Sequence, residues 1–501
     1  MKRAPLTLAA AAAALAAVTG IATLTAPAPR AAAGPAATRE PVVRSTLACP
    51  APSTSDIAET AYTSYTPAGT PAGTGTRPGG PGGARLVATG KDGKQLLELK
   101  EPGKPAAATA SGAEAPAMTG TADGPLAPGW TAQQTTKVAV GQARGLLGVA
   151  CTAPGTEFWF PGASTAQGRT DYLHLTSADG TGAEVDVELF GPEGELKSKE
   201  GTGAGPADAV RVHPRSSEKV LLSELTSEQL PDVTVRVTAR TGRVAATVQV
   251  TEDGVGADWL PAATAPAGSL VLPGIPADAT SVRLVVHAPG EQDADLRVRL
   301  AGPGGPISPA GHEQLHVKAG STASVDLKDV TRGEPGSLLL TPSEPRRAVP
   351  VVAALRVVRG GGAKQELGLL PASGPAGPRA TVADNRADQG ATTLSLTAVG
   401  ADARVRVTAS PGTEGGAPAS QEYTVKADST LAVAPPPVPG EGGKGAYALT
   451  VETLSGGPVH AARTLSLPHE GIAFFTVQTL ADDRSTVVVP RAVQDLAVLD
   501  D

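Results

Sequence analysis

Hydrophobic and polar residues alternate along most of this chain. In "AEVDVELFG" (183–191), Val185, Val187 and Leu189 are separated by Asp186 and Glu188. "DVTVRVTAR" (232–240) and "ADARVRVTA" (401–409) keep the same period of two. Successive side chains on a strand point to opposite faces, so this pattern predicts half-buried antiparallel strands with one face on a core and one in water. Gly- and Pro-bearing stretches such as "GPEG" (191–194) and "RTGR" (240–243) supply the turns.

The strand text also repeats. "EFWFPGAS" (157–164) is matched by "GSLVLPGIP" (268–276), "AEVDVELFGPEGEL" (183–196) by "ADLRVRLAGPGGPI" (294–307), and "ADWLPAA" (257–263) by "LGLLPAS" (367–373), each about 110 residues apart. A fainter third copy opens with "ATTLSLTAVGADARVRVTASPG" (391–412). Several short strands in a period this long suit a β-sandwich, and the period far exceeds that of a propeller blade. The expected fold is all-β: tandem antiparallel β-sandwich (immunoglobulin-like) domains after an N-terminal signal segment. The predicted copies span 155–265, 266–375 and 376–501, the last with extra C-terminal strands. Residues 49–154 read as a separate, smaller β unit with long Gly/Pro/Ala-rich loops. Within it Asp92-Gly93 marks a hairpin, and 103–129 reads as a loop. Residues 34–48 read as a flexible linker.

Composition refines this picture. The 501 residues include 60 Gly and 46 Pro, which suits many turns and few long helices. Apolar residues make 41% of the chain but aromatics only 3%, so the cores are expected to consist of Val, Leu and Ala. The net charge of −7, with no basic stripe, argues against a nucleic-acid partner. Lys2 and Arg3 precede an apolar run over 6–26 and then small residues, the pattern of a secretory signal within 1–33. The run approaches membrane-spanning length, so an uncleaved anchor is the alternative. The body is therefore expected outside the cytoplasm, with membrane contact only if that segment is retained. For an exported chain with two cysteines, Cys49 and Cys151 are expected to form one disulfide.

Five features together resemble an uncharacterised family of secreted actinobacterial proteins, a domain of unknown function. They are the signal, "LACPAP" (47–52), "VACTAPGTEFWFPGAS" (149–164), "VDVELFGPEG" (185–194) and "TVVVPRAVQDLAVL" (486–499). The resemblance implies export and a β-rich build. It implies no activity and carries over no site residue.

Candidate chemistry is sparse. His312-Glu313-x-x-His316 has the spacing of a zinc helix, and Glu334 is a conceivable third ligand. The surrounding text predicts a turn and a strand, which would hold the two histidines about 13 Å apart. A loop–strand coincidence is therefore the expected reading, with no metal. Ser164 in "GASTA" lacks the closing glycine of a nucleophile elbow, and Asp384 with Asp388 lacks the order of a calcium loop. Paired carboxylates of a glycosidase are not identifiable by spacing. Trp159 is expected to pack in a core or at a domain junction. Exposed, it could instead stack a sugar, with Tyr172 nearby. No catalytic residue and no cofactor is expected. The function expected is a secreted, non-enzymatic structural or binding protein of the cell envelope, with envelope polysaccharide or envelope proteins as partners. Carbohydrate binding through Trp159 and Tyr172 is the alternative, and a secreted hydrolase the third.

Overall fold

A computed structural model describes residues 38–69, 82–90, 93–199, 209–436 and 445–489. Among these, every element longer than four residues is a strand. β1 (Thr38–Pro41) comes first. Eight strands follow, namely β2 (Arg44–Cys49), β3 (Glu59–Tyr65), β4 (Ala84–Ala88), β5 (Gln95–Leu99), β6 (Ala106–Ser111), β7 (Met118–Asp123), β8 (Thr131–Val138) and β9 (Gly145–Ala150). They form two antiparallel sheets, in the orders β2-β7-β4-β5 and β6-β3-β8-β9.

The same order then returns three times. The next copy holds β10 (Glu157–Ala163), β11 (Arg169–Thr176), β12 (Ala183–Gly191), β13 (Gly194–Glu195), β14 (Val210–Val212), β15 (Ser217–Leu221), a one-turn helix α1 (Leu222–Leu225), β16 (Val233–Thr241), β17 (Ala245–Glu252) and β18 (Gly256–Leu260). Its sheets run β10-β16-β12-β13, with β14 also on β12, and β15-β11-β17-β18. The third copy holds β19 (Leu270–Ile275), β20 (Ala279–His287), β21 (Ala294–Gly302), β22 (Gly305–Ile307), β23 (Gln314–Val317), β24 (Thr322–Lys328), β25 (Gly336–Pro342), β26 (Val352–Arg359) and β27 (Glu366–Pro371). The fourth holds β28 (Arg379–Arg386), β29 (Thr392–Ala398), β30 (Ala403–Ala409), β31 (Ala419–Val425), β32 (Ser429–Val433), β33 (Ala446–Gly456), β34 (Val459–Ser466) and β35 (Phe475–Leu480). Sheets β19-β25-β21-β22 and β24-β20-β26-β27 in the third copy, and β28-β33-β30-β31 and β32-β29-β34-β35 in the fourth, repeat the first copy strand for strand.

The stretch before residue 155 is therefore not a different kind of unit but a fourth copy of the same design. Two parts of it differ from their sequence reading. Residues 103–129 contain β6 and β7, and 34–48 contain β1 and most of β2. These segments are rich in Ala, Thr and Ser, and their strand state comes from pairing: β6 on β3, β7 between β2 and β4. β36 (Thr486–Val489) pairs with β1 in a two-stranded ladder that forms a small unit of its own. The expected signal or anchor in 1–33 lies outside the described residues.

In each copy the alternating apolar residues of both sheets meet in one core. Val185, Val187, Val235 and Val237 of one sheet meet Leu173, Val248 and Val250 of the other, all fully buried. Burying each such side chain is worth about 1.5–3 kcal/mol. The first strand of three copies carries a register irregularity at matched positions: Pro161/Ala163, Leu272/Ile275 and Val382/Asn385. Gly162 (φ 92), Gly274 (φ 91) and Asp384 (φ 61) occupy it in the left-handed region. That region explains the two Pro-Gly pairs of the sequence repeat.

Candidate functional site

The four last strands, β9, β18, β27 and β35, are almost wholly buried and contact one another in a closed cycle, β9 to β18 to β27 to β35 and back to β9. Close approach is possible because glycines face neighbouring strands. A side chain on Gly148 would strike Thr476, and one on Gly256 would meet Glu366. At this crossing lies Asp258 on β18, with no solvent exposure. Its carboxylate accepts the Gly148 N–H of the first copy (3.1 Å), the Leu369 N–H of the third (3.3 Å) and the Thr476 hydroxyl of the fourth (3.2 Å). One side chain thus joins all four copies. Burial pushes its carboxyl well above the usual carboxylate range, and the hydrogen bonds oppose that shift.

Glu366 on β27 is the second buried acid of the crossing. Its Oε1 accepts the Leu146 N–H (3.2 Å), while Oε2 makes no hydrogen bond. Burial raises its carboxyl to about 9, so it is neutral at pH 7. Beside it, the Arg144 guanidinium of the first copy donates to the carbonyls of Val255 (3.2 Å) in the second copy and Gln365 (2.9 Å) at the edge of the third. These residues had no motif in the sequence. The available signal was an acid placed inside an otherwise apolar run, in "GADWL" and "ELGLLP".

The residues singled out by sequence are dispersed. Cys49 and Cys151 are disulfide-bonded, joining the first strand of the first copy to the end of its last. Such a bond is compatible with an extracytoplasmic location. Among the described residues, no helix is long and apolar enough to cross a membrane. His312 lies in a turn and His316 on strand β23, so they share no helix. His316 Nδ1 is 2.8 Å from Asp295 Oδ1. Ser164 donates its hydroxyl to the Leu230 carbonyl (3.0 Å) and its N–H to Asp171 (2.8 Å). Asp384 is ion-paired to Arg386 and accepts the Thr63 hydroxyl of the first copy (3.0 Å), while Asp388 lies in a turn.

Trp159 is 5% exposed. Its ring lies 5.5 Å from that of His287 in the next copy and 6.2 Å from Phe190, with the Arg236 guanidinium over it at 5.0 Å. It packs at the junction of the second and third copies. Tyr172 lies on the other sheet, under Lys219. The structure does not bring the two together.

Each chain-continuous junction has a cleft where the outer face of a β15-β11-β17-type sheet emerges from under the preceding copy. Two are about 410 and 420 Å³. The third, between the third and fourth copies, is about 730 Å³.

The repeated strand order, the shared buried crossing and the single disulfide together define an all-β repeat protein whose copies are joined through their last strands. Residues 106–436 match a family of unknown function (DUF5719), and the chain belongs to that family. No curated protein matches it.

Proposed function

We propose that this protein is an exported, non-enzymatic structural or binding component of the cell envelope, built from tandem immunoglobulin-like β-sandwiches. Asp258 carries this reading. A carboxyl that burial raises well above its ordinary range is sealed from solvent and bonded to three neighbouring copies, which is a scaffold's use of a carboxylate. The same holds for the reactive residue types elsewhere. Ser164, His316 and Asp384 each have a partner in the framework, and burial lowers His174 to about 3 and His287 and His460 to about 4, keeping them neutral. The signal-like N-terminus and the disulfide favour an oxidising compartment.

The test is fractionation of a native producer with intact mass measured before and after reduction. The expected result is protein in the envelope or medium, shortened at its N-terminus or held by it, and gaining two hydrogens on reduction. Full-length protein in the cytosol with free thiols contradicts the reading.

A further inference from the structure

We infer that the cleft between the third and fourth copies is a binding site for a neutral saccharide. The inference deepens the binding half of the function proposed above and rests on it. The four copies act as each other's controls. Strand pairing aligns Thr393 and Ser395 on β29 with Tyr172 and His174 on β11, and with Arg283 and Val285 on β20. Thr464 on β34 aligns in the same way with Gln249 on β17 and Arg356 on β26. At two junctions this floor therefore carries large side chains that are already engaged. Tyr172 lies under Lys219, His174 packs edge-on against Trp259, Arg283 bonds Asp232, and Arg356 bonds Glu252. At the third junction the same positions hold small hydroxyls, and the space opens to about 730 Å³.

Those hydroxyls are unused. Ser395 is 3% exposed and Thr464 8%, yet neither side chain has a hydrogen-bond partner among the described residues. Both line the cleft. Both hydroxyls open onto the cleft floor, where they are available to bond a ligand. Gly274 fixes the end of the cleft. Its φ of 91° admits a side chain only with strain, and a methyl there would come within 2.6 Å of the Ala462 side chain.

The walls define the ligand. Arg359 is clamped by Asp278 (2.7 and 2.8 Å) and by Ser466 (3.1 Å), and Lys137 and Asp388 face the same space. The two cations and two anions cancel, which disfavours a strongly charged ligand. Gln389 and Asp388 offer an amide and a carboxylate, and Pro276, Pro335 and Pro468 offer apolar faces. Hydroxyls, an amide and a carboxylate beside flat C–H surface suit a sugar, whose hydroxyls bond and whose ring faces pack. The volume lies within the range of small-ligand sites.

The test is an array of neutral hexose and pentose oligosaccharides probed with the full exported chain and two variants. Thr464→Arg installs the residue of the preceding copy and fills the cleft. Asp388→Asn combined with Gln389→Ala changes only a turn at its mouth. Wild type is expected to bind at least one neutral oligosaccharide, and each variant to weaken that binding tenfold or more with its melting temperature retained. If Thr464→Arg fails to fold, the turn variant alone decides. No binding to any neutral oligosaccharide, binding only to charged ones, or binding undiminished in the turn variant overturns the inference. A null array from protein that still fractionates with the envelope removes the cleft and leaves the envelope reading standing.

Discussion

Glu366 makes the stability of this protein pH-dependent in a defined direction. Its carboxyl titrates near 9 in the folded state against 4.5 ordinarily, because burial penalises the anion. The folded state therefore holds a proton that the unfolded state has lost, so stability is full below about pH 4.5 and falls as pH rises toward 9. The raised carboxyl of Asp258 acts in the same sense. His174, His287 and His460 act on the other side. Burial holds them well below the ordinary 6.5, so their contribution is present above that value and is lost as pH falls toward 4. Together these groups place maximum stability at about pH 6. Glu366→Gln removes one slope. Thermal unfolding of this variant should match wild type near pH 5 and exceed it at pH 8, with a gain of up to about 1.4 kcal/mol per pH unit. Parallel wild-type and variant curves across that range would show that Glu366 is not held neutral.

At the scale of elements, a copy is defined by its strand order, and each junction by what its first strand lays on the next sheet. Trp159 in β10 occupies the position of Val271 in β19, and Phe190 that of Ala301. Thr322 bonds Thr234 at one junction (3.0 Å), and Thr430 bonds Ser337 at the next (2.9 Å). Trp159 is thus a packing residue. Trp159→Ala should cost about 3 kcal/mol in chemical denaturation and leave saccharide binding at the other junction unchanged. A fully stable variant that lost binding would reverse that assignment. Alternation made strands such as β12, β16 and β30 legible in the sequence, because one face is apolar and the other charged. The first copy was not legible as a copy. "AAATAS" and "MTGTAD" carry small residues on both faces, and their strand state depends on partners distant in the chain. The cleft was hidden for a related reason. Thr393 and Ser395 read as an ordinary wet face, and their small size stands out only beside Tyr172 and Arg283 at the matched positions of the other copies. Tyr172, chosen from sequence as a binding residue, occupies the strand position in the second copy that Thr393 occupies in the fourth.

On the scale of the whole molecule, four copies of one design close on each other through β9, β18, β27 and β35, and the bonds that close them converge on Asp258. Chain continuity joins the first copy to the second, the second to the third and the third to the fourth. The fourth meets the first through contacts alone. These include the Thr63–Asp384 hydrogen bond, the packing of Tyr65 on Ala383 and Ala448, and the approach of Thr476 to Gly148. Removing the Asp258 carboxylate leaves three donors from three copies without an acceptor, a loss on the order of 3 kcal/mol or more. Native-state hydrogen exchange on wild type and Asp258→Ala, read over residues 145–150, 256–260, 366–371 and 475–480, tests the closure most directly. The expected result is strong protection of all four strands in wild type, and a joint loss in the variant that reaches Gly148 and Leu369 in the neighbouring copies. Faster exchange confined to 256–260, with the other three strands unchanged, would contradict it.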